Sequence, residues 1–171
     1  MNPMKNVEIE KVTLNIGSGK SQERLEKGVK LLKNLTGVSP VKTVTKKRIP
    51  GWGLRPGLPV GCKLTIRKGK VSELIAAFLK AKDNMLNNSN FDNEGNVSFG
   101  IHEYIDVPNA KYDPEIGIMG FQVCISLKRK GYRIKNRKQK RKSVPKRHRV
   151  TVDDSKQFME KNFGVKVKEE E

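Results

Sequence analysis

The clearest structural pattern near the start of this chain is the stretch KVTLNIGSG, residues 11–19. Its apolar residues Val12, Leu14 and Ile16 alternate with polar ones, which is the pattern of a half-buried strand. Glycines end that strand, and Ser21 and Gly37 stand where a helix would need its N-terminal and C-terminal caps. The stretch therefore predicts a strand that leads directly into a helix.

Further along the chain, four more stretches predict strands, and all but the first of them alternate in the same way. They are residues 41–45, 61–67, 97–101 and 121–127. Helical spacing predicts a second helix from about Ser72 to about Leu86. A capping box formed by Thr151 and Asp154 predicts a short third helix, Val152–Asn162. We expect the last three residues, 169–171, to be frayed.

The predicted strands share a polar face. Opposite their apolar residues stand small, polar or basic side chains: Thr13, Asn15, Lys63, Thr65, Arg67, Gln122, Ser126 and Lys128. If the strands pair antiparallel, helices cover one face of the sheet and this polar face is left open. Its hydroxyl, amide and cationic groups suit the phosphates and 2′-hydroxyls of RNA. A simply solvated sheet face is the alternative.

The charge of the chain is large and unevenly distributed. Among 171 residues, 36 Lys and Arg face 18 Asp and Glu, which gives a net charge of +18. Residues 128–149 alone hold 13 Lys or Arg and no acid. Such a density favours binding of a polyanion, with strong salt dependence, over mere solubilisation. We expect this segment to be disordered when free, because it has few apolar residues.

Composition also excludes several classes of protein. No run approaches the ~18 apolar residues of a membrane span, and no apolar segment near the start predicts a secretory signal. Two cysteines, Cys62 and Cys124, cannot form a disulfide framework and fit a reducing cytosol. The sequence thus predicts a cytosolic protein with a nucleic-acid partner and no membrane contact.

Residues 46–61, KKRIPGWGLRPGLPVG, predict a long exposed loop. Four glycines and three prolines in this stretch exclude a helix or a central strand. Long loops inside compact domains are usually functional or disordered. Trp52, the only tryptophan, either stacks on a nucleotide or folds back to pin its own loop, and the sequence leaves both possibilities open.

Motifs that suggest catalysis fail on inspection. The string Gly17-Ser18-Gly19-Lys20-Ser21 lacks the leading glycine of a P-loop and the last glycine of a dinucleotide-binding loop. Its backbone N–H groups at a helix N-terminus still favour a phosphate. His102 and His148 lie far apart, and no spacing predicts a metal site. We therefore predict no enzyme, no cofactor and no metal.

Taken together, these segments resemble a known family. The strings KVTLNIGSG, PVKTVTKKRIPGWGLRPGLPVGCKLTIR, FDNEGNVSFGIHEYIDVP and GIMGFQVCISLKRKG occur here in order. They closely resemble the "L-five" family of large-subunit ribosomal proteins, which bind 5S rRNA in the central protuberance. The basic tail resembles the archaeal and eukaryotic branch. The resemblance implies an α+β fold, with a curved antiparallel sheet, helices on one face and RNA on the other.

The resemblance also implies roles for particular residues. It places 5S rRNA binding on Asn15, Gly17, Thr65 and Arg67, and Lys63 shares their polar face. It implies that the loop of residues 46–61 faces P-site tRNA. The residues on that loop expected to face the tRNA are Lys46, Lys47, Arg48, Trp52 and Arg55. It lays the basic tail on large-subunit rRNA, with Lys128, Arg129, Lys130, Arg133, Arg137, Lys138, Arg141 and Arg147.

The implied organisation is a 5S rRNA-binding domain over residues 1–127 and a basic C-terminal extension over residues 128–171. The implied setting is the cytoplasmic ribosome, where a second 5S-binding protein is a neighbour. An intersubunit bridge would join the protein to the small-subunit head. The alternative is a basic chaperone or DNA-architectural protein that binds any polyanion through its tail. Deletion of residues 128–171 would separate the two, because only the ribosomal hypothesis keeps 5S rRNA recognition in residues 1–127.

Overall fold

A computed structural model describes residues 2–108 and 110–168, so the predicted fraying of residues 169–171 lies outside the described part. The chain is α+β, as predicted. Its elements are β1 (Val7–Gly17), α1 (Gln22–Thr36), β2 (Val41–Val44), β3 (Pro59–Ile66), α2 (Val71–Lys80), β4 (Met85–Asn87), β5 (Val97–Ile101), β6 (Phe121–Arg129), α3 (Val152–Phe163) and β7 (Lys166–Lys168). In the described part of the chain, every helix is too short or too polar to span a membrane.

Five strands form one antiparallel sheet in the order β2-β3-β1-β6-β5, so the strand predicted from KVTLNIGSG lies at its centre. The hairpin β2–β3 encloses the predicted loop, and its register sets Val41 opposite Lys63 and Thr43 opposite Gly61. The short strands β4 and β7 pair parallel in a separate sheet. Neighbouring strands thus differ widely in their separation along the chain. One loop joins β2 to β3, whereas most of the chain lies between β1 and β6.

The chain divides into two compact units. The α1 unit comprises Thr13–Ile66 and Gly100–Val123, and the α2–α3 unit comprises Met1–Val12, Arg67–Phe99 and Cys124–Glu171. The predicted boundary between residues 127 and 128 falls inside β6 and inside the second unit. The independent folding of residues 1–127 therefore stays a prediction.

In the α1 unit, helix α1 has both of its predicted caps. The Ser21 hydroxyl accepts a hydrogen bond from the Arg24 N–H at 3.2 Å, and Gly37 ends the helix with a φ of 73°. A side chain at Gly28 would lie 3.2 Å from both Ile16 and Cys62. This glycine therefore lets the helix pack closely on the apolar side of β1 and β3.

In the α2–α3 unit, helix α2 is shorter than predicted. It ends at Lys80, and the chain reverses through Asp83 and Asn84, whose φ angles are 55° and 54°. Aspartate and asparagine tolerate this left-handed conformation better than most residues. The prediction of a helix to Leu86 was wrong because Leu86 pairs with Val167 of β7, a partner about eighty residues away that local periodicity cannot reveal.

The third helix forms as predicted and completes the core of the same unit. Thr151 and Asp154 make the expected reciprocal capping hydrogen bonds, and Gly164 ends the helix with a φ of 65°. Met159 on this helix is fully buried, as is Phe78 on α2. The C-terminal residues thus supply part of a hydrophobic core.

Candidate nucleic-acid interface

The polar strand face exists within the α1 unit. The side-chain amide of Asn15 on β1 donates to the Gln122 side chain on β6 at 3.1 Å, so both residues share a face. Ile16 and Cys62 point the other way, toward α1. Because side chains alternate along a strand, Lys63 lies on the face away from α1 and is exposed. The prediction of a polar face is confirmed for this unit.

Two glycines shape this region. A side chain at Gly61 would lie 2.5 Å from the Ile16 carbonyl oxygen, so the close approach of β3 to β1 requires glycine there. Gly17 is exposed and has nothing within 4 Å of a would-be side chain, so its backbone is open to a ligand. Arg67 is exposed but lies one residue beyond the end of β3. The predicted strand 61–67 is therefore shifted toward the N-terminus.

The loop between β1 and α1 offers fewer free backbone donors to a phosphate than its sequence suggests. The N–H groups of Ser18 and Gly19 both donate to the Val60 carbonyl, at 3.0 and 3.2 Å. Two of the backbone donors that would cradle a phosphate are thus already used. The Lys20 side chain instead lies against Gly53 of the long loop, where any side chain would collide with it. Lys20 lies 33 residues before Gly53 in the chain, so no local sequence pattern assigns it to that loop.

The connection between β2 and β3, residues 45–58, is an irregular and mostly exposed hairpin, because residues 59–61 of the predicted loop belong to β3 and Gly61 is buried. Ile49 and Leu54 exchange two backbone hydrogen bonds of 3.0 Å, and Gly53 adopts a φ of 59° between them. Trp52 at the tip is 68% exposed, so most of its side chain is open to solvent. The four cationic side chains expected to face tRNA are exposed as well: Lys46, Lys47, Arg48 and Arg55.

The basic extension is held against the α2–α3 unit. The Tyr132 hydroxyl accepts a hydrogen bond from the Val150 N–H at 2.9 Å, and Val144 and Val150 are buried. Carboxylates of the unit pair with the segment: Glu8 with Lys130 at 3.9 Å, Glu10 with Lys135 at 3.6 Å and Glu94 with Arg149 at 3.4 Å. The premise that this segment has too few apolar residues to pack was wrong.

Most cations assigned to the extension reach solvent. Lys130, Arg133, Arg137, Lys138, Arg141 and Arg147 are exposed, and Lys128 is half-buried. Arg129 is the exception, because only 9% of it is exposed and its guanidinium binds the Asp154 carboxylate at 2.6 Å. Its assignment to an RNA surface is corrected. The alternation of β6 turns Arg129 to the same side as Ile125 and Leu127.

Both cysteine thiols are held in their protonated form. Burial raises the pKa of the Cys62 and Cys124 thiols, which keeps both protonated and unreactive. Within residues 2–108 and 110–168, no group of His, Cys, Asp or Glu side chains could hold a metal ion. The exposed chemistry of the described chain is that of cations, amides and hydroxyls.

Comparison with known proteins names the family of a chain with this fold and these cationic surfaces. Residues 2–55 match the family described as "Ribosomal protein L5", and residues 59–165 match the model of the C-terminal part of the same family. The chain belongs to the ribosomal protein L5 family. It is a non-enzymatic, structural protein of the large ribosomal subunit, and it works in the ribosome together with rRNA.

Relatives support this assignment over nearly the whole chain. The chain is 48% identical over 168 residues to the large ribosomal subunit protein uL5 of Sulfolobus acidocaldarius, covering 98% of this chain and 94% of the relative. It is 45% identical to the uL5 protein of Sulfurisphaera tokodaii, with 99% and 96% covered. It is 44% identical to that of Methanococcus maripaludis strain C6, with 96% and 93% covered. The resemblance found in the sequence is confirmed.

Proposed function

We propose that the polar strand face of the α1 unit binds 5S rRNA in the central protuberance. The observation that carries this proposal is the Asn15–Gln122 hydrogen bond, which joins two strands on the side away from α1. Amide, hydroxyl and ammonium groups on that face suit ribose and phosphate. The residues proposed to bind are Asn15, Gly17, Lys63 and Thr65, with Arg67 directly after β3.

The loop of residues 46–61 is proposed to contact P-site tRNA. Its exposed cations supply attraction to phosphate, and the exposed Trp52 ring offers a stacking surface. Lys20, which lies against Gly53, adds a further cation at this loop. Single-stranded loops of RNA present phosphates together with unstacked bases, which are targets for both kinds of group.

The exposed cations of the basic extension are proposed to lie on large-subunit rRNA. They are Lys128, Lys130, Arg133, Arg137, Lys138, Arg141 and Arg147. A neighbouring 5S-binding protein and a small-subunit head protein, reached through an intersubunit bridge, complete the proposed partners. These assignments rest on the family and on the exposure of charge.

The deciding experiment compares binding of the full chain to 5S rRNA and to an unrelated RNA of equal length across a salt series. Contacts that depend on RNA shape predict a preference for 5S rRNA that persists at high salt, since only the ionic part of binding is lost. Equal affinity at every salt concentration would contradict 5S recognition. It would instead favour a general polyanion binder.

Two variants localise the interaction. Lys63→Gln should weaken 5S rRNA binding and lower the salt slope by about 0.7 to 0.9. Lys27→Gln is the matched control, because Lys27 is exposed on α1 of the same unit, on the helix that covers the opposite face. Arg67→Ala should also reduce 5S affinity. Unchanged affinity in both Lys63→Gln and Arg67→Ala would exclude the strand face.

Deletion of residues 128–171 is a poor test of the polyanion alternative. It would remove Val144, Val150 and Met159, all of which are buried, and would damage the α2–α3 unit. Neutralising Lys138 and Arg147 by substitution with Gln leaves the core intact, because both side chains are exposed. The ribosomal proposal expects such a variant to keep its preference for 5S rRNA. A general polyanion binder would show no such preference, and its affinity for 5S rRNA and for the unrelated RNA would fall equally.

A further inference from the structure

A groove of about 630 Å³ lies in the α2–α3 unit. Its lining comes from distant parts of the sequence and includes Lys11, Asn96, Ser126, Asn136, Arg141 and Lys142. Grooves of roughly 300–1,000 Å³ are typical of ligand sites in proteins. Two lining residues have been named above, Arg141 in the basic extension and Ser126 on the polar side of a predicted strand, but the family assignment gives the groove as a whole no role.

The charges of the groove are only partly balanced. Its two carboxylates are already paired, Glu10 with Lys135 and Glu94 with Arg149. Three further cations line it, namely Lys11, Arg141 and Lys142, and none of them forms an ion pair with any residue that the structure describes. The groove therefore carries uncompensated positive charge, which an anionic ligand would neutralise.

Neutral hydrogen-bonding groups lie among these cations. Ser126 and Ser143 contribute hydroxyls, and Asn136 contributes an amide. The amide nitrogen of Asn96 is used by Asp92 at 3.2 Å, which leaves its oxygen as an acceptor. Buried Leu127 and Val144 supply the apolar part of the lining. Cations bind phosphate, whereas hydroxyl and amide groups can bind the ribose 2′-hydroxyl, which can both donate and accept.

We propose that this groove binds an unpaired strand of RNA and prefers ribose over deoxyribose. The inference deepens the proposed contact of the basic extension with large-subunit rRNA, and it rests on that part of the proposed function. Cationic grooves that follow a backbone are the usual form of single-strand sites. Lys11 and Ser126 lie outside the linear basic run, so the site is one that the tertiary structure assembles from separate segments.

The test is nuclear magnetic resonance on the full chain, titrated with a short single-stranded RNA and with DNA of the same sequence. RNA should shift the side-chain amide signals of Asn96 and Asn136, and DNA should shift them less at equal concentration. Lys11→Gln should weaken RNA binding about three- to tenfold and lower the salt slope by about 0.7. Lys80→Gln is the matched control, since Lys80 is an exposed lysine of the same unit outside the groove.

A separate double variant tests the preference for ribose over deoxyribose. Ser126→Ala combined with Ser143→Ala should lower the ratio of RNA to DNA affinity about three- to tenfold, the value of one or two lost hydrogen bonds. Equal effects of RNA and DNA on the Asn96 and Asn136 signals would overturn the inference. So would equal affinities of Lys11→Gln and Lys80→Gln. A poly-glutamate peptide that shifts these signals where RNA does not would assign the groove to a protein partner instead.

Failure here is distinguishable from failure of the proposed function. If the groove shows no RNA preference while Lys63→Gln still weakens 5S rRNA binding, only the groove inference falls. If the groove responds to RNA while neither Lys63→Gln nor Arg67→Ala affects 5S binding, the strand-face proposal falls and the groove stands. Thermal unfolding of each variant confirms that the fold is retained.

Discussion

Arg129 and Asp154 form a partly buried ion pair, with the guanidinium Nη2 2.6 Å from the carboxylate Oδ2. The same carboxylate oxygen accepts hydrogen bonds from the backbone N–H and the hydroxyl of Thr151, at 2.9 and 2.8 Å. One acidic side chain thus caps α3 and fixes the end of β6. Arg129, which the family resemblance places among the RNA-binding cations, instead stabilises the fold.

Asp154→Asn should therefore destabilise the protein strongly. It removes the partner of a buried guanidinium and weakens a helix cap, and we expect a loss of about 2 to 4 kcal/mol in the free energy of unfolding. Chemical denaturation measures this loss. Asp153→Asn is the control, because Asp153 is exposed in the same helical turn. That variant should lose about 0.3 to 1 kcal/mol. Similar losses in both would contradict a structural role for the pair.

The same residue should shape the stability of the protein in acid. Burial by itself raises the pKa of Asp154, but hydrogen bonds from Thr151 and the charge of Arg129 outweigh burial, so the pKa lies below its ordinary value of 3.8. A lowered carboxyl pKa stabilises the fold fully above the ordinary value, and this stabilisation is lost as the pH falls through the folded-state pKa.

Unfolding free energy measured from neutral pH down to about pH 2 should consequently fall less steeply in Asp154→Asn than in the parent chain. Asp113 keeps part of the acid dependence in that variant, because a hydrogen bond from Lys30 also lowers the pKa of Asp113. If the profile of Asp154→Asn ran parallel to that of the parent chain, the pKa of Asp154 in the parent would be the same in the folded and unfolded states.

Gly61→Ala should disrupt the pairing of β3 with β1. The added methyl group would lie 2.5 Å from the Ile16 carbonyl oxygen, and backbone atoms cannot yield as a flexible side chain can. We expect a loss of about 2 to 3 kcal/mol or more. Gly100→Ala is the control, since Gly100 has open space around its would-be side chain. Unfolding temperatures that fall equally in both variants would exclude this steric explanation.

Trp52→Ala should leave stability nearly unchanged and weaken RNA binding. The ring is 68% exposed, so its loss should change the free energy of unfolding by less than about 0.5 kcal/mol. Stacking on a base is worth about 1 to 3 kcal/mol, so affinity for tRNA should fall measurably. Because Trp52 is the only tryptophan, quenching of its fluorescence by added tRNA reports the contact directly. A lower unfolding temperature with unchanged affinity would mean that the ring pins its loop.

Local signals in the sequence were sufficient for the elements whose limits are local. Ser21 and Gly37 predicted the ends of α1, and the box of Thr151 and Asp154 predicted the start of α3, because capping depends on residues within one turn. Strict alternation predicted the buried side of β1 and hence its polar side. The family resemblance likewise depends on strings of contiguous residues, such as KVTLNIGSG.

By itself the sequence determined the α+β class, the polar strand face, the exposed loop and the ribosomal family. Only the tertiary structure decided where α2 ends, that Arg129 turns inward to Asp154, and that the backbone donors after β1 are taken by Val60. The physical reason is that each of these outcomes depends on a partner distant in the chain. Periodicity and capping report a residue's immediate neighbours, whereas charge pairing and strand pairing depend on which segments fold against each other.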